Sequence, residues 1–165
     1  MGIVTYEGKI ESSIPPARLF RMIILEPEIY VPKVLPGAIT SFETLQGDGG
    51  PGTIRKMSFG NGSPISHVVE TVDWLDKENC IFHYSIIGGD PTLIDTSKLE
   101  KMSFVLKLEP TPSGGTMATR SCKGYTVDGA DVDEEEVRTS LIKTIEVFKG
   151  VFKLYEAYAI ANPDA

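Results

Sequence analysis

The amino-acid sequence predicts an α+β domain: one antiparallel sheet, curved around a long C-terminal helix. Three observations carry that reading. From Ile39 to Tyr125, β-rich segments follow one another with only turns between them, and consecutive hairpins make an antiparallel sheet. Two short helical segments separate the first strand from that run. From Asp133 to about Ile160, apolar residues return every three or four positions, the period of an amphipathic helix. A curved sheet wrapped around such a helix leaves a space between them, lined by the inward faces of several strands.

The elements follow in order. Ile3–Glu11 begins with β-formers and reads as a strand. Ser12-Ser13-Ile14-Pro15-Pro16 is a helix start, with a Ser cap near prolines that suit a first turn. Ala17–Leu25 carries Leu19, Phe20, Ile23 and Ile24 at helical spacing. A second short helix runs from about Glu28 to Leu35, interrupted by Pro32 and ended by Pro36-Gly37. Six strands follow: Ile39–Leu45, Thr53–Phe59, Ile65–Leu75, Cys80–Ile87, Leu99–Leu108 and Thr116 to about Tyr125. Turns are marked by Gly60-Asn61-Gly62-Ser63, Asp76–Asn79, Gly88–Pro91 and Pro110–Gly115. The acidic run Asp133–Glu136 complements the positive end of a helix dipole. Val137, Leu141, Ile145, Phe148, Phe152, Tyr155 and Ala159 form the apolar stripe of the last helix. Gly150 within it marks a bend or a close approach, and Asn162-Pro163 ends it.

Length and composition set the bounds. The chain has 165 residues, which suit one domain, residues 1–165, with a real core. No run approaches the roughly 20 apolar residues of a membrane span. The first residues lack a basic region followed by an apolar stretch, so no signal peptide is expected. Gly2 does not open a myristoylation motif, because Tyr6 stands where Ser or Thr is needed. Two cysteines, Cys80 and Cys122, are too few for a disulfide scaffold, and a reducing cytosol is the simplest compartment. A net charge of −7 argues against general nucleic-acid binding through phosphates.

The most conspicuous local motif is Gly47-Asp48-Gly49-Gly50-Pro51-Gly52-Thr53. Gly47, Gly49 and Gly52 satisfy G-x-G-x-x-G. A nucleotide site would need a helix after the loop, so that its amides meet phosphate. A strand follows instead, and the P-loop lysine is absent. The loop therefore reads as a β-turn-β connection whose glycines supply positive φ, with a backbone anion contact at Gly49–Gly52 as the functional alternative.

The order of elements, and the stretch Glu43-Thr44-Leu45-Gln46-Gly47-Asp48-Gly49-Gly50-Pro51-Gly52-Thr53-Ile54, resemble the plant pathogenesis-related class-10 proteins, the family of the major birch-pollen allergen. Ile14–Phe20, Val31-Pro32-Lys33, Asp76–Asn79, Leu99-Glu100-Lys101 and Pro112–Gly115 match as well, so the resemblance spans the chain. It implies the START-like helix-grip fold: seven curved antiparallel strands and two short helices around a long C-terminal helix, enclosing a hydrophobic cavity. It also implies binding of hydrophobic plant metabolites such as flavonoids, cytokinins, steroids, fatty acids or abscisic-acid-like hormones, in a defence setting. Family analogy names a protein phosphatase as a candidate partner. The expectation is a monomeric cytoplasmic protein, with the nucleus as a second compartment and no cofactor. The chain departs from the family in a longer Pro91–Lys98 segment and in a C-terminal helix longer by about one turn near Val147–Val151. Gly124 and Tyr125 also replace a usual Tyr-His, so Gly124 should leave extra room.

Candidate site residues follow from alternation and resemblance together. Arg55, Met57 and Phe59 share one strand face; Phe82, Tyr84 and Ile86 share another; Met102, Phe104 and Leu106 a third. Pattern alone reads these faces as packed core. The hollow centre that the resemblance implies makes them ligand lining, together with Ile23, Val31 and His67, which match family lining positions, and with Leu141 and Ile145 on the helix. Arg120 falls, by gap-free matching from Gly114-Gly115, where the family has an apolar inward residue; the alternative is a bulge that turns it to solvent. Two inward guanidiniums favour an acidic or phenolic ligand, or an internal carboxylate such as Glu70. His83 is expected on the outer face. Neither His-x-x-x-His nor Cys-x-x-Cys occurs, so no metal site is expected. The competing reading is an enzyme on the same scaffold. It would be either ribonuclease-like, with Lys56, Glu100, Glu156 and Tyr158 carried over from family proposals, or a small-molecule condensing enzyme of the norcoclaurine synthase kind.

Overall fold

The computed structural model describes residues 2–165. Strand β1 spans Ile3–Ser12, followed by α1 (Pro16–Phe20), a π-helical turn (Arg21–Leu25) and α2 (Pro27–Val34). Then come β2 (Ile39–Gln46), β3 (Ile54–Phe59), β4 (His67–Asp76), β5 (Ile81–Gly89), β6 (Leu99–Pro110) and β7 (Thr116–Thr126). Helix α3 closes the chain at Glu134–Ala161. The seven strands form one open, curved sheet in the order β1-β7-β6-β5-β4-β3-β2, each antiparallel to its neighbours. The α1–α2 segment thus carries the chain from one sheet edge to the other, and the meander brings it back.

Some boundaries move for physical reasons. The helix expected over Ala17–Leu25 splits, because a residue before proline is disfavoured in the α region. Glu26 therefore leaves the helix at φ −130°, and its amide reaches back five residues to the Arg21 carbonyl at 2.9 Å. Ser12 does not cap α1: its Oγ accepts from the Ile14 amide at 3.1 Å, and Pro15 holds the cap position with no side-chain bond. Strand β5 runs on through Gly88 and Gly89, which pair with Val69 and Val68. The longer Pro91–Lys98 segment is anchored by Ile94, which is buried, and by Asx turns at Asp90 and Asp95.

Helix α3 is fixed at both ends. Asp133 Oδ1 accepts from the Glu135 amide at 3.0 Å, satisfying a first-turn donor. At the other end the Arg18 guanidinium of α1 donates to the carbonyls of Ala159 (2.9 Å), Asn162 (2.5 Å) and Ala165 (3.0 Å), a cation set against the negative helix end. Two sheet glycines let α3 approach. A Cβ on Gly8 would lie 2.4 Å from Ile145 Cγ2, and one on Gly124 would lie 2.8 Å from Val137 Cγ1. The room expected at Gly124 is therefore taken by the helix. Gly150 makes no close approach: nothing lies within 4 Å of a Cβ placed there.

The buried apolar residues fall into two clusters. One joins α1, the π turn and the C-terminal half of α3, with Leu19, Phe20, Met22, Phe82, Leu106 and Phe152. The other joins Val68, Met102, Phe104, Val137, Leu141 and Ile145. Tyr84 packs against both and belongs to neither. No helix among the described residues is long and apolar enough to cross a membrane.

Candidate functional site

The concave face is read directly from the strand register. Across the sheet, Arg55 of β3 lies beside Glu70, then Ile86, Met102 and Gly124. A second row is Val72, Tyr84, Phe104, Cys122 and Tyr6; a third is Phe82, Leu106, Arg120 and Gly8. The expected inward residues of β3, β5 and β6 share this side. Burial separates them: Phe82, Ile86, Met102, Phe104, Leu106, Leu141 and Ile145 are closed off, while Arg55, Met57, Phe59 and Tyr84 keep accessible surface.

His67 is not among them. On β4 the buried residues are Val68, Glu70 and Val72, so His67 points to the convex side, where its Nδ1 lies 2.9 Å from Ser66 Oγ. Side chains alternate along a strand, and positions 67 and 70, an odd distance apart, cannot share a face of an unbulged strand. His83, paired with Trp74 and Val105, is also on the convex side.

Both arginines point inward. Arg55 Nη2 makes a short ion pair with Glu70 Oε1, and its guanidinium carbon sits 5.1 Å from the Phe42 ring centre and 5.9 Å from that of Phe82. Its Nε is buried without a partner. Burial pushes the Glu70 carboxyl above its ordinary range, opposed chiefly by Arg55 and more weakly by Arg120. Arg120 does not bulge outward. Its Nη2 donates to the Tyr84 hydroxyl and its Nη1 to the Thr144 carbonyl of α3 at 3.2 Å. Its guanidinium carbon lies 4.6 Å from the Phe104 ring centre, 5.0 Å from Phe148 and 5.8 Å from Tyr84. Burial raises the Tyr84 hydroxyl, with Arg120 partly opposing, so the phenol keeps its proton at neutral pH.

The polar groups occupy the gap between the two apolar clusters. Tyr84 lies in the central strand yet keeps accessible surface, whereas its neighbours Phe82, Ile86 and Phe104 are only 5%, 7% and 1% exposed. Arg120 and Phe148 likewise remain part-accessible, so sheet and helix do not close completely there. What space remains is narrow, because Arg120 stretches across it from β7 to α3. A groove of about 210 Å³ opens between α2 and the edge strand β2, lined by Pro27, Val31, Pro32, Ile39 and Phe42 among others. Val31 is thus part of this opening, and Phe42 connects it to Arg55. Ile23 packs at the edge of the first cluster. Sequence reasoning missed Phe42 and the part played by Phe148. Phe42 reaches this face through its register opposite Met57, which the folded sheet sets.

The four ribonuclease candidates do not meet. Lys56 pairs with Glu43 and Val69 on the convex side, Glu100 is exposed at the start of β6, Glu156 bonds Lys153 at 3.3 Å, and the Tyr158 ring meets Tyr30 edge-on at 6.2 Å. Among the described residues no hydrogen bond, ion pair or ring contact joins any two of the four. The glycine loop has likewise committed its donors. Gly49 N–H goes to Thr53 Oγ1 at 2.8 Å, Gly50 N–H to Asp48 Oδ1 at 3.0 Å and Gly52 N–H to the Val72 carbonyl at 2.8 Å. Gly47, Gly49 and Gly52 take φ of 98°, 101° and 90°, and a Cβ on Gly47 would lie 2.7 Å from the Thr53 Cα. The loop sets the register of β3 rather than cradling an anion.

Comparison with known proteins agrees with this architecture. The chain is 42% identical over 165 residues to the major allergen Pru av 1 of Prunus avium, covering 100% of this chain and 99% of that one. It is 40% identical to the major strawberry allergen Fra a 1.07 of Fragaria ananassa, with the same coverage. Among solved structures, Ara h 8.0201 superposes with a TM-score of 0.76 at 31% identity, over 98% of this chain and 100% of that one. Norcoclaurine synthase from Thalictrum flavum, in complex with dopamine and hydroxybenzaldehyde, superposes with a TM-score of 0.74 at 18% identity, over 98% and 88%, a likeness of fold alone. Residues 1–159 match the family model described as the pathogenesis-related protein Bet v 1 family, and the chain belongs to that family.

Proposed function

We propose that this protein binds a small hydrophobic metabolite between its sheet and α3 and acts as a carrier or sensor rather than as an enzyme. The observation that supports this most is the belt of polar groups set between two apolar clusters, with Arg55–Glu70 at one side and Arg120–Tyr84 at the other. Apolar walls with a few placed polar groups are what a small-molecule site requires. The groove between α2 and β2 supplies an entrance. Flavonoid, cytokinin, steroid and abscisic-acid-like hormones are the ligand classes of this reading, in a cytoplasmic defence or hormone response. A protein phosphatase that senses the loaded state is the partner it would suit. No cofactor is needed.

The test is a melting experiment with a panel of such compounds, followed by mass spectrometry of what the protein releases. A carrier melts several degrees higher with at least one compound and returns it unchanged. A panel that leaves the melting temperature where it was removes the reading, and recovery of a converted product replaces it with an enzymatic one.

A further inference from the structure

The two inward arginines are not equivalent, and the difference names a ligand class. Arg55 has its counter-charge: Glu70 faces it on the next strand and pairs with it. Arg120 has none. Among the described residues no carboxylate lies within ion-pair distance of its guanidinium, and its acceptors are a phenol oxygen and a main-chain carbonyl. The interior therefore holds two guanidiniums against one carboxylate. An enclosed cation with neutral partners is incompletely compensated, and a carboxylate takes a guanidinium fork far better than a neutral oxygen does. The surroundings suit an aromatic acid. Phe104 and Phe148 flank the cation at 4.6 and 5.0 Å, offering flat apolar walls on the sheet side and the helix side. Tyr84 accepts from Arg120 and still has its own O–H to donate.

Resting on the carrier reading above, we propose that the ligand is a flat hydrophobic monoanion whose carboxylate is held by Arg120 and the Tyr84 hydroxyl, while Arg55–Glu70 is an internal ion pair that shapes the wall. The carboxylate takes the place of the Tyr84 and Thr144 oxygens on one edge of the guanidinium, which shifts out of the gap between Phe104 and Phe148 so that the ligand's ring fills it. Arg120 thus fills the narrow centre in the free protein and becomes the anchor in the loaded one. The geometry also separates this site from the groove at Phe42, where the nearest charge is already paired.

The experiment is calorimetric titration with matched pairs that differ only in charge: trans-cinnamic acid against methyl cinnamate, and 2-naphthoic acid against its methyl ester. The wild-type protein should prefer each acid over its ester by about tenfold or more, the scale of a charge-assisted hydrogen bond. Arg120→Met should abolish that preference, so that each acid and its ester bind equally, and Arg120→Lys should keep part of it. The double variant Arg55→Met/Glu70→Gln removes the pair without orphaning either charge and should keep the preference. A single cooperative melting transition for Arg120→Met shows that a lost preference is not a lost fold. Esters and acids bound equally by the wild type, or a preference that survives Arg120→Met and disappears in the double variant, overturns the proposal and leaves the carrier reading standing. Failure of every acid and ester to bind also overturns the proposal, and the carrier reading is then decided by the wider panel above.

Discussion

Arg55 and Arg120 enter the same interior from strands in opposite halves of the sheet, and the structure balances them differently. Arg55 meets a carboxylate across one strand pair; Arg120 meets a phenol, a helix carbonyl and three aromatic rings. A buried charge with a fixed counter-charge is part of the architecture. A buried charge with neutral partners is cheaper to lose and better placed to bind something. The contrast between structural and ligand-facing cations thus rests on what faces each one, since depth and residue type are shared.

Four measurements would break or sharpen that contrast. The largest effect should come from Glu70→Ala, which leaves the Arg55 guanidinium enclosed and unpaired; chemical denaturation should show a loss of about 3–5 kcal/mol. A loss under 1 kcal/mol would mean that Arg55 escapes to water through the groove at Phe42. Next is Gly8→Ala, beside Arg120 in the sheet. The added methyl would lie 2.4 Å from Cγ2 of the fully buried Ile145, so the strain should cost about 1–3 kcal/mol. An unaffected protein would show that α3 can lift from β1.

Arg120→Met should be the mildest of the interior changes, about 1–2 kcal/mol in denaturation, because two hydrogen bonds to neutral acceptors and the contacts with three rings are lost but no charge is left unpaired. Destabilisation as severe as that of Glu70→Ala would remove the distinction between the two cations.

The smallest effect is a matter of pH. Neighbouring hydroxyls and amides hold Asp90 and Asp95 below the usual carboxylate range, so their contribution is present above the unfolded value and lost as pH falls. Burial moves Glu70 the other way, so its contribution is full at low pH and lost as pH rises through its raised value. Asp90→Asn should therefore flatten the acid limb of the stability curve, and Glu70→Gln should not. The reverse result would put the acid sensitivity inside the protein.

Much of this was legible beforehand. Alternation along β3, β5 and β6 placed Arg55, Met57, Tyr84 and Phe104 on one side, because a pleated strand sends every second side chain the same way. The stripe from Val137 to Ala159 gave the buried face of α3 by the same kind of period. His67 went wrong where a family correspondence was preferred to alternation on its own strand. Gly124 went wrong because a missing side chain was read as room, and the sequence does not show which helix residue stands opposite.

By itself the sequence determined the strands and helices, their order and the side of the sheet on which Arg55 falls, and it left the side of Arg120 open. These are local properties, set by backbone period, proline and glycine. Only the tertiary structure decided that Arg120 lies under α3 against Phe148, that Glu70 is bonded to one arginine and not the other, and that the glycine-loop amides are already used within the fold. Those facts depend on which residues, distant along the chain, share a few ångströms of space. That is settled by how the curved sheet closes on the helix, a property that no strand carries alone.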